Sequence, residues 1–323
     1  MHILSKKEIS MCTSIAYRTS DFYFGRNMDI EGHFDEQIVV APRNFNFNFK
    51  YMSQATNQYA IIGMARVKSL YPLYADGVNE MGLCACALSF PKSAGYKNKP
   101  VKDKVNLTSY EVIPYILSSF ESVKEVKEKL ANLVILDDCF DEKTPSTPLH
   151  WMIADENESI TLESTKDGVK IYDNPVGVLT NEPIFPTQLR ALEKYDHLTP
   201  YDNNEGADSL GLGLYGLEGD FSSVSRFIRA SMLKKYSVTD FSDHESVSMV
   251  LRLLYSVAPI KGSVRSLQEK LHYTVYTSVI NASKGIYYYT TNENMQLNKA
   301  LLSNADLDTQ YLQVYPLKMN FEI

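Results

Sequence analysis

Several features are missing from this sequence, and each absence removes a class of function. No apolar run approaches the ~20 residues needed to cross a bilayer, and the start lacks the apolar core of an export signal. The four cysteines include no Cys-x-x-Cys pair, so a reduced, cytoplasmic setting is expected. The histidines are scattered and none falls at metal-ligand spacing. There is no basic stripe, and a net charge of -7 argues against nucleic acid as a partner. No linker, compositional break or internal repeat divides the 323 residues. What is left, 44% hydrophobic and 22% charged, is ordinary for a soluble globular chain.

Most of residues 12–90 reads as strand, with short apolar runs at 37–41, 59–64 and 81–88. Cys84 and Cys86 share one face of the last run and read as small core residues. The period then changes. Residues 110–120 read as a helix with Pro114 early in it, and Ser122-Val123-Lys124-Glu125 reads as a capping box opening a second helix. Strands resume at 150–154, 159–163, 169–172 and 177–181. A short helix at 188–195, a glycine-loaded loop at 203–219 and helices at 221–236 and 245–257 precede closing strands at 273–280 and 285–291. Blocks of strands alternating with blocks of helices indicate an α+β fold rather than βαβ alternation.

The chemistry concentrates near the start. Met11-Cys12-Thr13-Ser14-Ile15-Ala16 and Phe22-Tyr23-Phe24-Gly25-Arg26-Asn27-Met28-Asp29 read as two strands joined by a turn centred on Thr19-Ser20. That turn would pair Tyr17 with Phe22, Ile15 with Phe24 and Thr13 with Arg26, leaving Cys12 beside Arg26-Asn27. A guanidinium there favours the thiolate. Asp29, three residues beyond Arg26, would face the other way unless the chain bends near Asn27-Met28. If the residues before Cys12 are removed, it carries an α-amine with a reference pKa of roughly 7.7–8.0, able to take its own thiol proton. Asp29 would then orient the ammonium. A buried core cysteine is the plainer reading of the hairpin alone.

These two segments resemble the start of the choloylglycine hydrolases, the bile salt hydrolases and penicillin V acylases among N-terminal-nucleophile enzymes. The resemblance continues through Ala41-Pro42-Arg43-Asn44-Phe45, Tyr74-Ala75-Asp76-Gly77-Val78-Asn79-Glu80-Met81-Gly82-Leu83 and Leu149-His150-Trp151-Met152-Ile153-Ala154-Asp155. It extends to Gly177-Val178-Leu179-Thr180-Asn181-Glu182-Pro183, Gly219-Asp220-Phe221, Ser225-Arg226-Phe227-Ile228-Arg229 and Tyr273-Thr274-Val275-Tyr276-Thr277. It implies a four-layered αββα sandwich of two antiparallel sheets, with residues 1–11 a leader or misplaced start and 12–323 a single domain.

The implied catalytic set is Cys12 as nucleophile, Arg26 on the thiolate, Asp29 on the α-amine, Asn181 donating to the oxyanion, and Arg226 nearby. Ser89 stands where bile salt hydrolases usually carry asparagine and penicillin V acylases tyrosine. Its backbone N–H can still complete the oxyanion site. Met28 is a candidate substrate contact. His150 could in principle serve Cys12 as a papain-like base, a role that the terminal amine already fills. No cofactor or metal is implied. The expected substrates are glycine- or taurine-conjugated bile salts, with penicillin V or another N-acyl amino acid as the alternative and a catalytically silent binding homologue as a third reading. Family resemblance also implies a homotetramer.

Overall fold

Nearly every residue in the central strands is buried, and the period-two pleat divides their side chains between two cores. Ile38, Val40, Ile62, Met64, Cys84, Cys86, Leu88 and Met152 enter a core shared with the first hairpin and with Phe227, Val247, Val250 and Leu254. Their neighbours Val39, Ala41, Ile61, Ala85, Ala87, Trp151 and Ile153 enter a second core under helices Val112–Ser119 and Val123–Lys129. Burial on both faces is why these strands read as apolar runs rather than as alternation. The computed structural model describes residues 11–52, 58–201, 211–240 and 242–320. Residues 1–10 of the expected leader at 1–11 and residues 203–210 of the expected loop lie outside the described residues.

The first sheet runs Val178–Leu179, Met11–Arg18, Phe22–Ile30, Leu271–Asn281, Ile286–Thr291 and Asn298–Leu301, with Val264–Arg265 paired on the start of Leu271–Asn281. The second runs Gly168–Asp173, Ser159–Thr165, Leu149–Ala154, Cys84–Ser89, Tyr71–Asn79, Ile61–Lys68, Gln37–Ala41 and Gln313–Tyr315. Every neighbouring pair in both is antiparallel. Helices Ser223–Tyr236 and Asp243–Tyr255 cover the outer face of the first sheet. The result is the αββα sandwich, with an unforeseen parallel pair, Val105–Thr108 with Leu133–Leu136.

Three local expectations need correction. The hairpin loop is Thr19-Ser20-Asp21, not a two-residue turn, so Ser14 rather than Thr13 opposes Arg26, and Cys12 opposes Met28. Tertiary contacts fix the longer loop: Asp21 accepts from Asn281 Nδ2 at 2.9 Å and pairs with Lys284 Nζ at 2.8 Å. No bend occurs at Asn27-Met28; the irregularity lies in the partner strand, between Thr274 and Tyr276. Half of the capping box forms: Ser122 accepts from the Glu125 N–H, but the Glu125 carboxylate takes the N–H of Glu121.

The pairing of Ile61–Lys68 with Tyr71–Asn79 slips between Met64 and Ala65, leaving Ala75 as the extra residue of a bulge. Gly63 makes this possible. A Cβ there would sit 2.1 Å from the Asp76 carbonyl oxygen. Gly63→Ala should therefore destabilise the protein by about 1–3 kcal/mol, the usual range for overpacking, in equilibrium denaturant unfolding. An unchanged midpoint would show that the strands part at no cost.

Candidate active site

The site is assembled at the first residues of the Met11–Arg18 strand. Cys12 is buried, and its Sγ lies between the sheets. Because Cys12, Ser14, Arg26 and Met28 share one pleat face in the observed register, Arg26 reaches diagonally across the pair. Its Nη2 donates to Cys12 Sγ at 3.1 Å and to Met28 Sδ at 3.4 Å, while Nη1 donates to the Ala75 carbonyl at 2.9 Å. In the expected register Arg26 would have shared the face of Thr13 and missed the sulfur. The one-residue correction is what makes the contact.

The opposite face carries a second set of groups. Arg226, implied by resemblance to lie near the nucleophile although an arginine at a helix start is normally a surface residue, is fully buried on the helix Ser223–Tyr236. Ser222 caps that helix by accepting from the Ser225 N–H, and the first turn aims Arg226 at the sheet. Its Nη1 donates to the Cys12 carbonyl at 2.5 Å and to Thr13 Oγ1 at 2.7 Å; its Nη2 donates to Asn181 Oδ1 at 2.7 Å. Asp29 opposes Met11, and its Oδ1 accepts from Thr274 Oγ1 at 2.6 Å. Asp29 Oδ2 is buried with no hydrogen-bond partner among the described residues. Burial lifts this carboxyl to about 6, although Arg226, Thr274 and Arg26 all pull it down.

Asn181 joins the two faces. Its Oδ1 accepts from the Cys12 backbone N–H at 2.9 Å as well as from Arg226, and its Nδ2 donates to the Ser89 carbonyl at 2.9 Å. Two donors on one side and a carbonyl on the other fix which way the amide points. The strand expected at 177–181 is paired only over Val178–Leu179. Asn181 is instead held by Gln188 Nε2, which donates to its carbonyl at 2.6 Å, and by Ser223 Oγ, which accepts from its N–H at 2.8 Å.

A cavity of about 900 Å³ opens over the sulfur. Cys12, Arg26, Met28 and Ser89 line its floor and Ile30, Phe34, Leu73 and Tyr74 its apolar walls; Lys143 adds positive charge, while Lys270 is paired with the lining Glu31 at 2.6 Å. His150 takes no part. It stacks on Phe90 and engages the Thr180 carbonyl through Nε2 at 2.9 Å and Glu163 through Nδ1 at 3.3 Å. Cys84 and Cys86 are buried, as expected.

The structure thus brings Cys12, Arg26, Asp29, Asn181, Arg226, Ser89 and Met28 together. Sequence reasoning missed Thr274 and Gln188, which hold Asp29 and Asn181, and Asp76, 3.8 Å from Arg26. The signal for Asp76 was a lone acid inside a strand whose neighbours are apolar or small.

Residues 12–315 match the linear amide C–N hydrolases, choloylglycine hydrolase family. A bile salt hydrolase/transferase of Lactiplantibacillus plantarum is 44% identical over 316 residues, covering 95% of this chain and 97% of its own length. A bile salt hydrolase/transferase of Clostridium perfringens is 39% identical, covering 97% of this chain and 99% of its own. The solved structure of a variant of the conjugated bile acid hydrolase from Clostridium perfringens superposes with a TM-score of 0.90 at 37% identity, over 97% of this chain and 98% of that one. Penicillin V acylase from Agrobacterium tumefaciens shares the fold, with a TM-score of 0.76 at 20% identity over 94% of this chain and 90% of its own. No helix among the described residues is long and apolar enough to cross a membrane.

The state of Asp29 is testable in the chain that retains Met11. A folded value of about 6, above the ordinary 3.8, means that the folded protein holds this proton more tightly than the unfolded chain does. The stability so gained is fully present below pH 3.8 and is lost as pH rises through 6. Asp29→Asn should therefore stabilise the chain that retains Met11 at pH 7.5, by up to roughly 3 kcal/mol at about 1.4 per pKa unit. The advantage should vanish in urea unfolding at pH 3.5. A destabilised variant at pH 7.5 would show that the carboxylate is already satisfied.

Proposed function

Because this chain belongs to the choloylglycine hydrolase family of linear amide C–N hydrolases, we propose that it cleaves the amide joining a bile acid to glycine or taurine, with Cys12 as nucleophile. The observation that carries this reading is the pairing of Cys12 Sγ with Arg26 on the cavity floor, while the backbone nitrogen of the same residue sits on Asn181. Removal of residues 1–11 turns that nitrogen into an amine. The unpartnered Oδ2 of Asp29, whose residue opposes Met11 in the ladder, is the acceptor suited to its new protons.

The amine takes the thiol proton, Arg26 stabilises the thiolate, and the sulfur attacks the amide carbonyl carbon. The oxyanion is met by Asn181 Nδ2, which keeps one N–H beyond that given to Ser89, and by the Ser89 backbone N–H. Such a donor is worth about 2.7–4 kcal/mol of barrier. The ammonium then protonates the departing nitrogen, releasing glycine or taurine and leaving a thioester. Water, deprotonated by the same amine, hydrolyses it. Serine at position 89 preserves this chemistry, because the backbone supplies the donor.

A cavity of about 900 Å³ lies within the ~300–1,000 Å³ range of small-molecule sites and suits a steroid acyl group. Lys143 offers local attraction for an anionic substrate that the net charge of -7 does not provide, whereas Lys270 is already paired with Glu31 Oε2 at 2.6 Å. The names of the Lactiplantibacillus and Clostridium relatives include transferase activity; an amino acid amine entering in place of water would rebuild an amide from the same thioester. Localisation in the cytoplasm and assembly as a homotetramer belong to this proposal and rest on family resemblance.

The mature enzyme should turn over glycocholate and taurocholate faster than penicillin V; the reverse order would replace the proposed substrate. Cys12→Ala should abolish turnover with the fold intact. Intact-mass spectrometry should show active protein beginning at Cys12, and a preparation keeping Met11 should be inert. Normal turnover in either the alanine variant or the extended chain would overturn the mechanism.

A further inference from the structure

Besides the two sulfurs, Arg26 is met by groups from two consecutive residues, Ala75 and Asp76. The bulge at Ala75 leaves that residue unmatched in the ladder with Ile61–Lys68, and its carbonyl accepts from Arg26 Nη1 at 2.9 Å. The next residue, Asp76, is fully buried and places Oδ2 3.8 Å from Arg26 Nε. That Nε has no hydrogen-bond partner among the described residues, so Asp76 acts on it as a charge rather than as an acceptor. Asp76 is in turn gripped from the facing sheet: Tyr276 Oη donates to Oδ2 at 2.7 Å and Tyr287 Oη to Oδ1 at 2.5 Å. The Tyr276 ring also lies 5.9 Å from the Arg26 guanidinium carbon.

We propose that Asp76 is a positioning residue for amide hydrolysis, holding the Arg26 guanidinium against Cys12 Sγ and offsetting its charge while the thiol is neutral. The inference rests on the reading of Cys12 as nucleophile and deepens it. A guanidinium buried without a counter-ion costs several kcal/mol, and the thiolate exists for only part of the cycle. Asp76 is the carboxylate at ion-pair distance from Arg26 among the described residues. Packing alone does not call for it, since apolar side chains of similar volume fill a core as well or better than a buried ion pair. The phenols serve the carboxylate, replacing its lost water. Burial pushes the Asp76 carboxyl up, and Arg26, Tyr287 and Tyr276 oppose that push.

Asp76→Asn keeps an acceptor for the phenols but removes the charge. Arg26 is then uncompensated toward the sulfur, and the thiolate it favours is a weaker nucleophile facing a less well fixed guanidinium. In the mature enzyme kcat on taurocholate should fall 10- to 100-fold while KM stays within threefold. The pH profile of Cys12 alkylation by iodoacetamide should move toward acid, a shift that a purely structural role would not produce. Tyr287→Phe removes one of the hydrogen bonds that keep the buried Asp76 carboxyl ionised, so part of its charge is lost, and it should give a smaller loss and a smaller shift in the same direction. It decides the matter if Asp76→Asn does not fold. Wild-type kcat and an unmoved alkylation profile in whichever variant folds would overturn the proposal. Turnover by Cys12→Ala, run alongside, would instead overturn the reading of the nucleophile.

Discussion

Two guanidinium groups are buried on opposite sides of a single strand, and most of the surrounding structure follows from having to house them. Neither Arg26 nor Arg226 has measurable exposure. An uncompensated cation at such depth costs several kcal/mol, so each must be surrounded by acceptors. For Arg26 these are a carbonyl freed by a bulge, a sulfur and a carboxylate from the facing sheet. For Arg226 they are the Cys12 and Phe221 carbonyls, Thr13 Oγ1 and Asn181 Oδ1. Both sheets and one covering helix are thereby tied to the first two described residues of the first strand's core.

The pleat imposes a further constraint. A residue inside a strand presents its side chain to one face only. Arg26 shares the face of Cys12, whereas Asp29, Thr13 and Arg226 lie across the sheet. A side chain at position 12 cannot meet both sets. A backbone nitrogen lies in the plane between them, and at a chain end it becomes an amine open to the far face. Under the proposed mechanism, in which Cys12 begins the strand, one residue supplies the sulfur on one side and the base on the other.

The central strands were legible because residues buried on both faces give apolar runs such as Gln37–Ala41 and Leu149–Ala154, whereas the sandwich itself was implied by the family resemblance. The helices Ser223–Tyr236 and Asp243–Tyr255 lie within two residues of their expected starts, because Ser222 and Ser242 cap them. The hairpin register was not legible: it depends on Asp21 meeting Asn281 and Lys284, some 260 residues away. Arg226 was read from motif resemblance alone, since nothing local distinguishes a buried helix arginine from a surface one. Asp76 stood within a quoted motif and carried no visible role, because its partners Tyr276 and Tyr287 come from the other sheet.

The cost of the site is electrostatic rather than conformational. Non-glycine residues with left-handed φ include Asp35, Ser69, Leu70 and Glu269, all in turns, and none is among the residues that touch Cys12. Asp35 follows Phe34, Leu70 precedes Leu73, and Glu269 precedes Lys270, so these turns carry or adjoin the wall of the cavity. The groups proposed to react, by contrast, sit on paired strands, on a capped helix and on the short Thr180-Asn181 segment clamped by Gln188 and Ser223. This division lets the wall change with little disturbance of the sulfur and its guanidinium, since turns tolerate substitution where paired strands do not. A serine at position 89 is consistent with it: the position lies where strand meets cavity, and its side chain is free to vary while its backbone stays in the ladder opposite Leu149.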